Sequence, residues 1–324
     1  MEQTFGLRQL GQSKLMVSPL GLGTWQFSKR KGIVGKYWTD LTDEEIAKII
    51  GESRKGGINW IDTAEIYGRG ESERAVARAL KQLGVKPGEV IIATKWWPLF
   101  RFAGNMERTI DQRLEALGGY PIDLYQVHQP FSFSRVAEEM NSMGRLAKHG
   151  KIRYIGVSNF SAAQMERAYE ELSPYGMKLI SNQVQYNLLN RKIESNGIMD
   201  KAKELGISII AYSPLAQGLL TGKFHDNPSL LENIGLRKNL PGFKKKGLAR
   251  TLPLIIKLRE IAGAHQVTPA QVALNWLVNF HGSIVFAIPG ATKQSHAMDN
   301  TGAMKFVLSQ EELRAIDTAS LAIE

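Results

Sequence analysis

The sequence repeats one pattern eight times: a short apolar run, a cluster of polar residues, and a stretch with the apolar spacing of a helix. Near-continuous apolarity over four to six residues is typical of a parallel strand that is buried on both faces. Strands that alternate with helices predict an α/β fold built on a parallel sheet. The eight runs are Pro19–Gly23, Ile58–Ile61, Val90–Ala93, Ile122–Val127, Ile152–Val157, Leu179–Val184, Ile207–Ala211 and Ser283–Ile288.

Local signals favour a closed barrel over an open, doubly wound sheet. The first apolar run contains Gly21-Leu-Gly23, but Gln26 stands where a dinucleotide-binding glycine turn needs its third glycine. With eight strands, this predicts a (β/α)8 TIM barrel. Helix starts are marked by capping boxes, in which two side chains three residues apart bind free N–H groups. These pairs are Thr42 and Glu45, Ser161 and Gln164, Thr268 and Gln271, and Ser309 and Glu312.

Two segments lie outside this repeat, within one barrel domain predicted over residues 1–324. Phe5–Leu10 and Lys14–Val17 flank Gly11-Gln-Ser13, which predicts an N-terminal β-hairpin within residues 1–18. Residues 212–250 are rich in glycine, proline and basic side chains and show little periodicity. Structureless loops of this length in a compact domain are usually functional or disordered.

Composition excludes several classes of function. The chain has no cysteine, so disulfides, thiolate nucleophiles and Cys-based metal sites are excluded, and the six histidines lack metal-site spacing. Basic residues exceed acidic ones by 41 to 31, but only Lys244-Lys-Lys246 is dense, which favours small anions over nucleic acid as partners. No run reaches the ~18–20 apolar residues of a membrane helix, and no signal peptide is visible. We therefore expect a cytoplasmic protein without membrane or nucleic-acid partners.

Polar residues directly follow seven of the eight apolar runs. The active site of a barrel lies at the carboxyl ends of its strands. Buried polar groups are costly unless they are paired, so a ring of them is expected at a site and not in a core. The strand-end residues are Thr24, Trp25, Asp62, Lys95, His128, Ser158, Asn159, Gln183, Tyr212, Ser213, Pro289 and Gly290.

Four residues at and near these ends predict a proton-transfer group. Tyrosine is a poor acid near neutrality because its ordinary pKa is ~10. We expect a Lys95 ammonium to lower the pKa of Tyr67, and Asp62 to keep that lysine charged. With His128 facing the same oxygen, the group would stabilise charge that develops on a carbonyl. Lys95 is also the residue that a Schiff-base aldolase would need, so this alternative remains.

The motifs that carry this chemistry follow one another along nearly the whole chain. They are Gly21-Leu-Gly-Thr-Trp25, Asn59-Trp-Ile-Asp-Thr-Ala-Glu-Ile-Tyr-Gly68, Ala93-Thr-Lys95, Asp123-Leu-Tyr-Gln-Val-His128, Gly156-Val-Ser-Asn-Phe160, Asn182-Gln-Val-Gln-Tyr186, the stretch from Tyr212 to Lys223, and Ile288-Pro-Gly-Ala291. In this order they resemble the aldo-keto reductase family. The resemblance implies a catalytic tetrad of Asp62, Tyr67, Lys95 and His128, with Tyr67 as the general acid in the reduction of aldehydes or ketones.

The resemblance also implies NADP(H) as cofactor, with the long loop at residues 212–250 covering it. Ser158, Asn159 and Gln183 would hold the nicotinamide carboxamide, and the ring of Tyr212 would stack on the nicotinamide. Many relatives have a basic residue directly after Ile-Pro-Gly-Ala, whereas here Thr292 comes first and Lys293 second. Lys293 and Arg237 favour NADPH over NADH. The implied cofactor residues are Thr24, Trp25, Asp62, Ser158, Asn159, Gln183, Tyr212, Ser213, Pro214, Leu215, Gln217, Gly218, Lys223, Arg237, Pro289, Gly290, Ala291, Thr292, Lys293, His296 and Asn300.

A small-molecule carbonyl compound is the expected substrate, bound by Trp25, Tyr67, Trp96 and His128. Aromatic loop residues predict a hydrophobic mouth for it. An alternative is a regulatory role, because some proteins that resemble this family are channel-associated β subunits that bind NADPH. The mouth aromatics are Trp25, Tyr37, Trp38, Trp96, Trp97, Phe100, Phe102, Phe131 and Phe133.

Overall fold

A computed structural model describes residues 6–29, 31, 37–38 and 40–323. The described chain opens with a hairpin in which β1 (Arg8–Gln9) pairs antiparallel with β2 (Met16–Val17). The hairpin closes the amino end of the barrel, because its apolar side chains pack in one cluster with Trp60 and Phe286 from the barrel interior. The predicted hairpin is present, although Phe5 lies outside the described residues.

Eight parallel strands follow the hairpin and pair in chain order. The first and last of them also meet, since Leu20 bridges Ala287 and Gly23 bridges Gly290. The sheet therefore closes on itself, and the predicted (β/α)8 barrel is confirmed. The strands are β3 (Leu22–Gly23), β4 (Trp60–Asp62), β5 (Ile91–Trp96), β6 (Leu124–Val127), β7 (Tyr154–Ser158), β8 (Leu179–Gln185), β9 (Ser208–Tyr212) and β10 (Val285–Ala287).

Helices surround the barrel, and the main apolar core lies between them and the strands. All four predicted capping boxes are formed, at Thr42, Ser161, Thr268 and Ser309. The helices are α1 (Asp43–Lys55), α2 (Glu71–Gln82), α3 (Gly104–Ala116), α4 (Val136–Lys148), α5 (Ala162–Leu172), α6 (Ile198–Leu205), α7 (Lys223–Asp226), α8 (Lys245–His265), α9 (Pro269–Asn279), α10 (Gln294–Gly302) and α11 (Gln310–Leu321).

The segment after β9 is more ordered than its sequence predicts. It consists of short 3₁₀ turns and α7, and α8 begins at Lys245, inside the range expected to be a loop. Leu219, Phe224, Ile234 and Phe243 form a small apolar cluster of their own within it. Turns of three to six residues are too short to give a helical repeat in the sequence, which explains the missing periodicity.

Candidate active site

A buried ion pair lies at the carboxyl ends of β4 and β5. Nζ of Lys95 is 2.5 Å from Oδ1 of Asp62 and donates a second hydrogen bond of 2.8 Å to the carbonyl of Thr63. Both charged side chains are at most 1% exposed. A buried charge requires such partners, because desolvation without them is costly. The amine of Lys95 is thus occupied by Asp62 and Thr63. A Schiff-base aldolase needs a free amine, so this arrangement disfavours that alternative.

Tyr67 and His128 lie next to this ion pair. Nζ of Lys95 is 5.1 Å from the centre of the Tyr67 ring. His128 directly follows β6, and its ring meets the Tyr67 ring edge-on with 5.7 Å between centroids. Nδ1 of His128 is buried and has no hydrogen-bond partner among the described residues. The four residues expected to transfer a proton therefore form one cluster.

Burial dominates the electrostatics of this cluster. It lowers the pKa of His128, and the nearby Lys95 charge lowers it further, so the imidazole is neutral at pH 7. Burial also lowers the pKa of Lys95, against the effect of Asp62. The pKa of Tyr67 is raised by burial and then by Asp62, contrary to the lowering expected from Lys95. Tyr67 therefore keeps its proton near neutral pH.

Amide side chains bind the second oxygen of Asp62. Nε2 of Gln183 donates to Oδ2 over 2.9 Å, and Nε2 of Gln126 donates to the same oxygen over 3.3 Å. Gln183 was predicted as a site residue, but Gln126 was missed. The strand period of two was the available signal, because Gln126 precedes His128 by two residues and faces the same way.

Polar groups from β7, β8 and β9 form a platform beside Asp62. The hydroxyl of Ser158 donates to the carbonyl of Gln183 over 2.8 Å. Asn159 has a left-handed backbone with φ of 60°, and its amide donates to Ser158 Oγ over 3.1 Å. Tyr212 donates to Oδ1 of Asn159, also over 3.1 Å. Neighbouring strand ends thus place these four predicted residues within one hydrogen-bonded group.

A cluster of cations lies on the long segment and the loop after β10. Burial lowers the pKa of Lys223, and the charges of Arg237 and Lys293 lower it further. The pKa of His296 is likewise lowered by burial and then by Lys223 and Lys293, while its Nδ1 lies 3.2 Å from the hydroxyl of Thr292. The described residues contain no salt bridge to any of the three cations. Clustered cations without carboxylates are a favourable site for an anion.

The backbone between Ser213 and Gly218 is unusual. Ser213, Ala216 and Gln217 have φ of 51°, 48° and 57°, in the left-handed region, and Gly218 has φ of 96°. Outside glycine this conformation costs energy and is typical of functional loops. Contacts hold it in place, since Asn187 donates to the carbonyl of Ser213 and Arg237 donates to that of Gln217. The predicted loop residues Pro214 and Leu215 lie within the same turn.

The end of β10 packs tightly against β3, the first strand of the barrel. A Cβ on Gly290 would come within 2.3 Å of the side-chain amide of Gln26, so a larger residue there would displace that amide. Asn300 donates to the carbonyl of Gly290 over 3.4 Å, and Pro289 accepts a hydrogen bond from Gly23. The side chain of Ala291 is buried in the main core.

Two expected site residues have other positions. Trp96 is fully buried in the core, and its indole donates to Asn105. It points away from the barrel interior because Lys95, its neighbour in β5, points inward. Its expected contact with substrate is therefore wrong. The hydroxyl of Thr24 binds the carbonyl of Asp62 and Ser72 Oγ, so this buried side chain fixes a strand end and does not line the site.

Aromatic rings form two walls beside Tyr67 and His128. On one side Trp25 stacks on Tyr67 at 6.2 Å and on Tyr37 at 5.3 Å, and meets Trp38 edge-on. On the other side Trp97 meets His128 at 5.2 Å and Phe131 at 5.6 Å. Trp97 thus occupies the position beside His128 that was expected of Trp96. Farther out, Phe100, Phe102 and Phe133 form an exposed cluster.

Comparison with known proteins gives the family of this chain. The sequence profile of the Aldo/keto reductase family matches residues 19–320. The chain belongs to the aldo/keto reductase family. An uncharacterized oxidoreductase of Mycobacterium tuberculosis is 38% identical over 311 residues, which are 94% of this chain and 90% of the relative. By family, this chain is an oxidoreductase that acts on carbonyl compounds.

Solved aldo/keto reductases share the fold. The glycerol dehydrogenase of Gluconobacter oxydans superposes with a TM-score of 0.83 at 29% identity, over 97% of this chain and 94% of its own. An aldo-keto reductase of Klebsiella pneumoniae, solved in complex with NADPH, superposes with a TM-score of 0.74 at 26% identity. That alignment covers 98% of this chain and 95% of the neighbour.

Glu65 is a further residue of this aldo/keto reductase that the sequence did not single out. It lies between Asp62 and Tyr67, and its Oε1 accepts from the backbone N–H of Trp97 over 2.7 Å and from Arg101. It thereby ties the loop that carries Tyr67 to the loop that carries Trp97. The available sequence signal for Glu65 was its place between Asp62 and Tyr67 in the motif that contains both.

No group of three or more His, Cys, Asp or Glu side chains within the described ranges is arranged to hold a metal ion. No helix of the described chain is long and apolar enough to cross a membrane.

Proposed function

We propose that this aldo/keto reductase uses NADPH to reduce an aldehyde or ketone to the alcohol, with Tyr67 as the general acid. The observation that carries the proposal is the cluster of Tyr67, His128 and the buried Asp62–Lys95 pair. It combines a neutral phenol, a neutral imidazole and a fixed cation, as stabilisation of a developing alkoxide requires.

The residues around the cluster fit a large anionic dinucleotide. Lys223, Arg237 and Lys293 supply three cations without a carboxylate partner in the described chain, suited to phosphate groups. Gln217 has a buried side-chain oxygen without a partner there, next to the left-handed turn that ends at Gly218. Ser158, Asn159 and Gln183 would hold a carboxamide, and Tyr212 would stack on the ring. Thr292 and His296 would lie on the phosphate side, and Asn300 near the adenine.

In this mechanism the chain's own residues bind and polarise the carbonyl. The reduced nicotinamide, when bound, supplies a hydride to the carbonyl carbon. His128 donates a hydrogen bond to the carbonyl oxygen, and Tyr67 delivers its proton to that oxygen as negative charge develops. Lys95 stabilises the phenolate that remains, and Asp62 keeps Lys95 charged. Trp25 and Trp97 exclude water from either side.

The experiment is a set of aldehydes and ketones assayed with NADPH and NADH by loss of reduced-nicotinamide absorbance. We expect turnover with NADPH and much weaker binding of NADH in a fluorescence titration. Lys293→Ala should weaken NADPH about tenfold or more, because a charge-assisted contact to phosphate contributes ~1.5–3 kcal/mol. Equal affinity for the two nucleotides would contradict the cofactor assignment. Binding of NADPH without turnover of any carbonyl would favour a regulatory role.

A further inference from the structure

Gln126 occupies a position from which it can control Asp62. It lies in β6 opposite Lys95 of β5 and is fully buried in the barrel interior. Its Nε2 is 3.3 Å from Oδ2 of Asp62, while Lys95 takes Oδ1. Its Oε1 is 3.5 Å from Nε2 of Gln183, the other donor to Oδ2. The two glutamines and Lys95 therefore surround the carboxylate of Asp62.

The neighbouring strand leaves space for this side chain. Gly156 in β7 pairs with Gln126 in the sheet register. A Cβ on Gly156 would lie 3.0 Å from Cγ of Gln126 and would collide with the hydroxyl of Ser181. A side chain at position 156 would therefore crowd Gln126, which would have to shift. Gly156 has no left-handed backbone, so this close approach is its evident structural requirement.

We propose that Gln126 is a positioning residue of the proton-transfer group, whose amide fixes the Asp62 carboxylate so that Asp62 keeps Lys95 protonated beneath Tyr67. A hydrogen bond to a carboxylate favours its charged form, and the charged form in turn favours the lysine ammonium. This inference rests on the proposed function for its effect on catalysis. The protonation state of Lys95, however, can be measured without turnover.

The charged and titratable groups around Lys95 come from four elements. Asp62 of β4 pairs with it directly, and Glu73 of α2 acts on it from behind the strand. Tyr67 of the following loop and His128 after β6 face it within the site. None of these groups changes when Gln126 is replaced. A shift in the titration of Lys95 then reports on the amide alone.

The test replaces Gln126 by methionine, which keeps the length and volume of the side chain but donates no hydrogen bond. The pKa of Lys95 is followed by carbon-13 NMR of labelled lysines in the protein without cofactor, with Lys95→Met to assign the signal. We expect the pKa of Lys95 to fall by about one unit. In kinetics we expect kcat to fall about tenfold and the alkaline limb to move to lower pH, while KM and NADPH affinity stay unchanged.

Two further variants separate positioning from packing. Gln126→Glu places a carboxyl group beside Asp62, where burial and the like charge raise its pKa. While this carboxyl group is protonated, it donates a hydrogen bond to Asp62 as the amide did. We therefore expect kcat to approach the wild-type value at low pH and to fall as the carboxyl group ionises. Ser181→Ala removes an equally buried hydroxyl that has no partner among the described residues, and should leave all readouts unchanged.

The outcomes are distinguishable from a failure of the proposed function. An unchanged Lys95 pKa in Gln126→Met overturns the inference, whatever the activity. A lower melting temperature with an unchanged pH profile also overturns it, because it shows a packing role only. A shifted Lys95 pKa in a protein that reduces no carbonyl supports the positioning role and contradicts the reductase assignment.

Discussion

Tyr67 acquires its chemistry from its surroundings. The phenol is partly enclosed between the Trp25 ring and the ion pair of Lys95 and Asp62. Burial and then Asp62 raise the pKa of Tyr67, and the buried Lys95 lies beside the ring, where the proposed phenolate would form. The proposed proton donor is therefore neutral over the whole physiological range.

Replacing Tyr67 by phenylalanine tests that role with the smallest change. The ring and its stacking on Trp25 remain, and only the hydroxyl is lost. We expect carbonyl reduction to fall about 10²–10⁴-fold, the usual contribution of general acid catalysis. NADPH affinity should stay within about threefold in a fluorescence titration. Tyr175→Phe, whose hydroxyl binds Asn141, is the control and should be unaffected. A rate near wild type would assign proton donation to another group.

Glu139 of α4 is a buried carboxylic acid. Its pKa allows a prediction of how the free energy of unfolding depends on pH. Glu139 is 2% exposed and accepts a hydrogen bond of 2.6 Å from Ser132. Burial raises its pKa from 4.5 to about 7. Between these values the unfolded chain loses a proton that the folded chain keeps, so the free energy of unfolding falls as pH rises. The loss is complete above about pH 7 and is on the order of 2–3 kcal/mol.

Glu139→Gln should therefore raise the free energy of unfolding at pH 8 by about 2–3 kcal/mol and much less at pH 5. Urea denaturation at the two pH values measures this difference. The exposed Glu115, replaced in the same way, should change little at either pH. Equal effects of Glu139→Gln at both pH values would show that Glu139 is already ionised in the folded protein.

At the scale of elements, a residue of the cation cluster contacts the loop after β3. Arg237, in the segment after β9, lies 4.5 Å over the ring of Trp38, in the loop after β3. Trp38 meets Trp25, which in turn stacks on Tyr67. The segment proposed to hold the cofactor is thus joined by packed rings to the proposed proton donor.

Trp38→Leu should speed the release of NADPH, because it removes a partly buried cation–π contact. Such contacts contribute up to ~2 kcal/mol, so we expect release about tenfold faster in stopped-flow fluorescence. Trp97→Leu removes an equal ring on the His128 side and should affect substrate KM but not NADPH release. Equal release rates in wild type and Trp38→Leu would show that the contact does not retain the cofactor.

Structural features that depend on residues close together in the sequence were predictable. Features that depend on tertiary contacts were not. The capping box at Thr42 depends on residues three apart, so its helix start was found. The apolar run that ends at Ala93 does not show that β5 continues to Trp96, and Trp96 was therefore assigned to the wrong face. The strand period indicates that Gln126 faces the barrel interior, but its contacts with Asp62 and Gly156 depend on the tertiary structure.

At the scale of the whole molecule, charge is unevenly distributed. Residues 213–250 contain seven basic and two acidic side chains, and so carry half of the net charge of +10. Lys244, Lys245 and Lys246 are exposed there, and no salt bridge engages them within the described ranges. A field of one sign beside an anion site raises the rate at which the anion is captured.

Replacing Lys244, Lys245 and Lys246 together by glutamine should slow NADPH association several-fold at low salt and flatten its salt dependence, with release unchanged. Stopped-flow mixing over a range of ionic strength measures this. A control of equal charge replaces Lys55, Lys86 and Lys203, which are exposed near the amino ends of the strands. If both triple variants behave alike, net charge alone governs capture.

The hairpin over the amino end of the barrel has a practical consequence. Leu10, Leu15 and Val17 seal that end, so the chain enters the barrel on the side opposite Tyr67 and His128. A tag, a fused domain or a solid support joined ahead of the hairpin would therefore face away from the opening. Immobilisation through the amino terminus should leave the catalytic mouth directed toward the surrounding liquid.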